Sequence, residues 1–166
     1  MNVDQLADKL RRDNLFMENV VRWEVLPARK AQYAPFPEEL DARLLPMLEK
    51  RGIHQLYSHQ AHSIRATMAG RDVVVVTPTA SGKTMCYNLP VLSSILQNND
   101  ARALYLFPTK ALSADQVSEL YELIEEMGVD IKTYTYDGDT PAAARRAVRQ
   151  AGHIVVTNPD MLHSGI

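Results

Sequence analysis

The chain has 166 residues, a formal net charge of -2 and a single cysteine, with 46% hydrophobic and 23% charged residues. That length can bury a core of its own. The composition excludes an intrachain disulfide framework, a strongly basic nucleic-acid footprint and, with no apolar stretch near ~20 residues, a membrane-spanning helix.

The opening Met1-Asn2-Val3-Asp4 lacks the basic region and apolar core of a signal peptide, so the expected setting is the cytoplasm, with no membrane contact. Val3, Leu6, Ala7 and Leu10 recur at helical spacing behind Asp4. Leu40, Leu44, Leu45 and Leu48 do the same behind Pro37-Glu38-Glu39, ending at Gly52. Between them, Pro27 to Pro37 holds three prolines and reads as an extended linker rather than a strand. Residues 1–52 are therefore expected to form a helical N-terminal extension packed on a core at 53–166.

A helix is expected from Ser58 to about Ala69, with Ala61, Ile64 and Met68 inward and Gly70 closing it. The period then changes. Val73 to Val76, Ala103 to Phe107, Ile131 to Tyr136 and Ile154 to Val156 are short apolar or β-branched runs separated by helical segments. One such segment carries Val117, Leu120, Tyr121 and Ile124 on one face and stops at Gly128; another opens at Thr140-Pro141, read as N-cap and first turn, and covers Ala142 to Gln150. The alternation predicts an α/β fold with a parallel sheet covered by helices on both faces. Ligands of such sheets bind at the carboxyl ends of the strands.

At the end of the valine run lies Thr77-Pro78-Thr79-Ala80-Ser81-Gly82-Lys83-Thr84. A loop of small side chains can curl its backbone N–H groups around a polyphosphate, and the helix that follows points its positive end at the same anion. Lys83 supplies a charge that reaches the β and γ phosphates, and Thr84 supplies a hydroxyl suited to Mg²⁺. Thr77 stands where the strict pattern has glycine. Nucleotide binding, with ATP and Mg²⁺ as ligands, is the expectation for this loop.

Other residues divide less sharply. Cys86 reads as a small packing residue inside the following helix, and His54, His59 and His62 read as helix-surface histidines, lacking partners at metal-ligand spacing. The segments after the other strands, Pro108-Thr109-Lys110-Ala111-Leu112, Asp137-Gly138-Asp139-Thr140 and Thr157-Asn158-Pro159-Asp160-Met161-Leu162, mix hydroxyls, amides and backbone N–H groups. Such groups suit phosphate oxygens of a nucleic-acid backbone, and they equally suit the turns and caps that any such loop requires.

Taken together, these strings resemble the first RecA-like domain of superfamily 2 helicases, from about Leu56 to the last residue. The resemblance makes the chain a partial, incomplete P-loop NTPase (RecA-like) domain behind a helical extension. It gives Gln60, in Leu56-Tyr57-Ser58-His59-Gln60, the role of reading adenine, and Thr77 to Thr84 the role of motif I. It gives Pro108, Thr109, Lys110, Asp137, Gly138, Thr157, Asn158 and Pro159 the role of nucleic-acid backbone contacts. The strings TPTASGKT, YLFPTKAL, YDGDTP and TNPDMLHSGI are most similar to the bacterial DExH-box DNA helicases of the YprA/MrfA type, implicated in DNA repair. The implied partners are single-stranded or partly duplex DNA, with RNA left open, and a second RecA-like domain.

The carboxylate pair that such motors use to hold Mg²⁺ and orient water is missing, since no Asp-Glu dipeptide occurs in the chain. The resemblance places further strands between the phosphate-loop strand and the others, so a gap in the sheet is expected. The reading is an N-terminal fragment of a longer enzyme, able to bind nucleotide without meaningful hydrolysis. Two alternatives remain at this point: a P-loop small-molecule kinase, although Arg145, Arg146 and Arg149 read better as a solvated helix face than as its lid, and a noncatalytic nucleotide-binding module.

Overall fold

A computed structural model describes residues 1–27 and 30–165. Ala28 and Arg29, in the expected linker, and Ile166, at the end of the TNPDMLHSGI string, lie outside the described residues. The chain divides into two compact units, Met1–Ala31 and Gln32–Ile166.

In the first unit, helix α1 (Val3–Arg12) starts at a capping box in which Asn2 Oδ1 accepts from Gln5 N at 2.9 Å and Gln5 Oε1 accepts from Asn2 N at 3.0 Å. A short helix α2 (Asn14–Met17) follows, capped by Asp13, and the Arg11 guanidinium lies 4.8 Å from the centre of the Trp23 ring.

The second unit opens with β1 (Tyr33–Ala34), then a 3₁₀ turn (Ala42–Leu44), α3 (Leu45–Lys50), β2 (Leu56–Tyr57) and α4 (Ser58–Met68). It continues through α5 (Lys83–Gln97), β3 (Ala103–Leu106), α6 (Lys110–Met127), β4 (Thr133–Thr135), α7 (Ala142–Ala151), β5 (Ile154–Thr157) and α8 (Pro159–Gly165). Strands β3, β5 and β4 lie in that order in one parallel sheet, with Tyr105 opposite Val156 and Tyr134 opposite Val155. Their carboxyl ends therefore share one edge.

The leucines of 40–48 belong to the larger unit: Leu40 lies in a bend, Leu44 ends the 3₁₀ turn, and Leu45 and Leu48 are on α3. Leu40, Leu44 and Leu48 enter one core with Ala61 and Ile64 of α4, Leu89, Leu92 and Ile95 of α5, Leu120 and Ile124 of α6, and Ile154 and Val156 of β5. Each fully buried side chain of this size contributes roughly 1.5–3 kcal/mol relative to an exposed one. The turn before α3 is pinned by polar groups as well. Asp41 N donates to Ser93 Oγ at 2.8 Å, and the Asp41 carboxylate accepts from the Arg43 guanidinium through two nitrogens, each at 2.8 Å. On β3, the buried Tyr105 hydroxyl donates to Asn88 Oδ1 of α5 at 2.9 Å, tying sheet to helix.

Three expectations need correction. The stretch read as a linker contains a strand: β1 pairs antiparallel with β2, Tyr33 opposite Tyr57 and Ala34 opposite Leu56, because Pro35 lies just past the pair and leaves its ladder intact. The N-cap of α7 is Pro141 rather than Thr140, whose hydroxyl instead accepts from Asp137 N at 2.9 Å. The valine run 73–76 pairs with no strand among the described residues, and Val74 and Val76 are each 88% exposed. A strand exists through its ladder, and an apolar run with no neighbour at ladder distance stays merely extended. Among the described residues no helix is long and apolar enough to cross a membrane.

Candidate nucleotide site and sheet edge

The loop Thr77 to Thr84, the candidate phosphate loop, closes on itself through its own side chains. Gly82, the residue before α5, has φ +72°, and Ala80 has φ +58°, so two nearby residues occupy the left-handed region. For Ala80, which has a Cβ, that conformation costs about 1–2 kcal/mol. The Lys83 ammonium donates to the Thr77 carbonyl at 2.8 Å and to the Pro78 carbonyl at 2.7 Å, which fixes the charge beneath the loop. The Thr77 and Ser81 hydroxyls meet at 2.5 Å. Thr79 is exposed at the loop's crest.

Two residues of α4 hold the loop from outside. Gln60 is buried, and both ends of its amide are engaged: Oε1 accepts from Tyr57 N at 2.8 Å, and Nε2 donates to the Gly82 carbonyl at 2.9 Å. His59 Nε2 lies 3.0 Å from the Ser81 carbonyl oxygen, and since that oxygen can only accept, Nε2 carries the proton. The His59 ring stacks on Tyr57 at 5.7 Å, and Tyr57 stacks on Tyr33 at 5.2 Å.

Beside these rings opens a cavity of about 530 Å³, lined by Tyr33, Tyr57, Gln60, Ala80, Gly82 and Met85 together with residues 52–55. Its size suits a nucleoside, and its walls offer aromatic surface on one side and the phosphate loop on the other. The short pairing of β1 with β2 is what brings Tyr33 here. Sequence reading missed Tyr33, Tyr57 and His59, and no local signal marks a contact between residues 22 positions apart.

The first turn of α5 places Thr84 beside Lys83. Burial raises the Tyr87 pKa, and the phenol donates to Gln116 Oε1 of α6. The Thr84 hydroxyl is a hard oxygen donor, the type Mg²⁺ takes alongside phosphate oxygens and water. No cluster of three or more His, Cys, Asp or Glu side chains placed to hold a metal ion occurs among the described residues.

At the carboxyl edge of the sheet the other expected residues gather from three loops. Pro108 is exposed, and Thr109 caps α6 by accepting from Leu112 N at 3.3 Å. Lys110 is exposed and donates to Asp139 Oδ2 at 2.6 Å, so an ion pair joins the loop after β3 to the loop after β4. Asp137 Oδ1 accepts from Asp139 N at 3.0 Å, which shapes the turn around the exposed Gly138. After β5, Asn158 Oδ1 accepts from Met161 N at 2.9 Å and Pro159 begins α8. Thr157 differs from the rest: it is buried, and its hydroxyl donates to the Tyr136 carbonyl at 2.5 Å, turned away from solvent.

Residues 57–166 match the family model described as DEAD/DEAH box helicase. The chain is 60% identical over 149 residues to the uncharacterized ATP-dependent helicase YprA of Bacillus subtilis, covering 90% of this chain and 20% of that protein. It is 34% identical to the ATP-dependent helicase hrq1 of Schizosaccharomyces pombe, covering 99% of this chain and 16% of the relative. Among solved structures, the DUF1998 helicase MrfA bound to DNA and AMPPNP superposes with a TM-score of 0.89 at 55% identity, covering all of this chain and 23% of that one. The Mycobacterium smegmatis helicase Lhr, at 24% identity and a TM-score of 0.63, shares the fold. The chain thus spans about a fifth of the length of these relatives. On the match over residues 57–166 and these identities, the chain belongs to the DEAD/DEAH box helicase family.

Proposed function

We propose that these residues form the ATP-binding part of a DNA-dependent ATPase motor, a helicase acting in DNA repair, whose turnover requires a second RecA-like domain. The observation that carries this reading is the placement of the left-handed Gly82 and of Met85, on the first turn of α5 that also carries Lys83, in the wall of the ring-walled cavity. Membership of the helicase family supports the motor over the small-molecule kinase.

The geometry supports the following roles. Backbone N–H groups of the loop and the N-terminal end of α5 bind phosphate oxygens, and Lys83 neutralises their charge. Thr84 is the residue of this chain that would hold Mg²⁺, which would supply charge neutralisation to the phosphates. Tyr33, Tyr57 and Gln60 line the cavity that would take the base, Gln60 with its amide bonded to Tyr57 N and the Gly82 carbonyl. Pro108, Thr109, Lys110, Asp137, Gly138, Asn158 and Pro159 present capped helix starts and one ammonium to a strand's phosphates, the kind of contact that positions without reading sequence. The MrfA structure bound to DNA and AMPPNP, of which this chain covers 23%, supports nucleotide and DNA as the ligands.

The test is a pair of measurements on the purified 166-residue chain. Equilibrium binding of ATP·Mg²⁺ is expected without hydrolysis, because no Asp-Glu pair is present to orient water. ATP turnover stimulated by DNA in this chain would contradict the reading.

A further inference from the structure

We propose that His59 is a positioning residue of the phosphate loop: through its Nε2–H bond to the Ser81 carbonyl it holds the loop in the conformation that receives the triphosphate. The inference rests on the nucleotide reading above and names a residue that reading does not require.

Three observations converge on it. His59 does not line the ring-walled cavity and so stands away from the base; it lines a separate hollow with Ser58, His62, Ser63 and the extended segment 73–77. Its ring orientation is fixed by stacking on Tyr57, at 5.7 Å and 10° between planes, which aims Nε2 at Ser81 instead of at solvent. Ser81 also directs its hydroxyl to Thr77 and lies within 3.4 Å of the Lys83 ammonium. The residue that His59 grips is therefore at the centre of the loop's internal bonding.

The loop needs such an external hold. Ala80 is in the left-handed region without being glycine, a conformation that persists only where the surroundings impose it. Gln60 fixes the Gly82 carbonyl on one side of Ser81's peptide neighbourhood, and His59 fixes the Ser81 carbonyl itself. Two consecutive carbonyls tied to two consecutive residues of α4 leave the intervening peptide little freedom. The N–H groups of Gly82 and Lys83, at the start of α5, are then preset for an anion, and the ordering cost is not charged against ligand binding.

The experiment compares the unsubstituted chain with His59→Phe and His59→Gln, using ATP·Mg²⁺, tripolyphosphate·Mg²⁺ and adenosine as probes. Phenylalanine keeps a ring to stack on Tyr57 and removes the donor; glutamine restores a donor without the ring. His59→Phe is expected to weaken ATP·Mg²⁺ and tripolyphosphate·Mg²⁺ by the same factor, roughly three- to tenfold for one lost hydrogen bond. Adenosine affinity is expected to stay unchanged, and His59→Gln to recover part of the loss. Unchanged ATP·Mg²⁺ affinity in His59→Phe would overturn the inference and leave the nucleotide reading standing. An equal loss for adenosine would assign His59 a merely structural role and overturn it too. Absence of ATP·Mg²⁺ binding in the unsubstituted chain would overturn both.

Discussion

Gln60 Nε2 donates to the Gly82 carbonyl at 2.9 Å, and a Cβ built on Gly82 would stand 2.5 Å from that same nitrogen. One glycine thus carries two demands, a φ of +72° and an open side toward the amide that holds it.

Gly82→Ala should therefore lose more than a flexible residue ordinarily does. Left-handed backbone costs an alanine about 1–2 kcal/mol, and the Gln60 amide must also swing away from the loop. The expected outcome is a drop of roughly tenfold or more in ATP·Mg²⁺ affinity, read by titration calorimetry. Binding equal to that of the unsubstituted chain would show that neither demand matters.

The bridge between Lys110 and Asp139 yields a prediction for nucleic acid. Their hydrogen bond raises the Lys110 pKa and lowers that of Asp139, and both side chains stand in solvent. Lys110 must exchange a carboxylate for a phosphate if this edge binds a strand. Asp139→Asn should tighten single-stranded DNA at low salt and steepen the salt dependence by about 0.7 in log–log slope for one added phosphate contact. Fluorescence anisotropy at several salt concentrations reads both quantities, and an unaltered slope would place Lys110 away from the strand.

Acid sensitivity should reveal the turn before α3. The Arg43 guanidinium, hydrogen-bonded to Asp41, holds the Asp41 carboxyl below the usual carboxylate value. A group whose native pKa is depressed stabilises the fold above its unfolded pKa, near 3.9, and that contribution disappears as pH falls through the lower native value. Asp41→Ala should thus cost about 1 kcal/mol near neutral pH, as for loss of a helix cap, with the difference from the unsubstituted chain shrinking below about pH 4. Urea unfolding at pH 7 and pH 3 measures it; a constant difference would contradict the assignment.

Cys86 is 4% exposed, and burial pushes its thiol pKa up, with a hydrogen bond to Ser63 opposing. A thiol-specific reagent at pH 8 should react on the order of 100-fold more slowly with the folded chain than with the chain in urea. Comparable rates would mean that α5 is not packed as described.

Much of this was legible in the residues, and the failures have physical causes. The runs at 103–106, 133–135 and 154–157 become parallel strands because each finds a neighbour, whereas Val73 to Val76, the most strand-like run of all, finds none among the described residues, pairing being a property of two segments and not of one. Lys83 and Thr84 follow from the loop's own spacing. The hold exerted on that loop by Gln60 and His59, and the arrival of Tyr33 at the cavity wall, depend on α4 lying against the loop and on a two-residue strand pair, neither of which has a periodic signature. Thr157 shows the reverse case: its hydroxyl suits phosphate by type, but the last residue of a central strand is covered on both sides and spends its donor on Tyr136.

The central claim is that Lys83 makes this loop a triphosphate site. Titration of the chain and of its Lys83→Ala variant with ATP·Mg²⁺ tests it most directly. Removing the ammonium, whose charge-assisted bonds to phosphate oxygens would each contribute roughly 1.5–3 kcal/mol, should weaken binding by about tenfold or more, while circular dichroism is unchanged and the thermal midpoint falls only by what the bonds to the Thr77 and Pro78 carbonyls supply. Equal affinity in the two proteins would contradict the account.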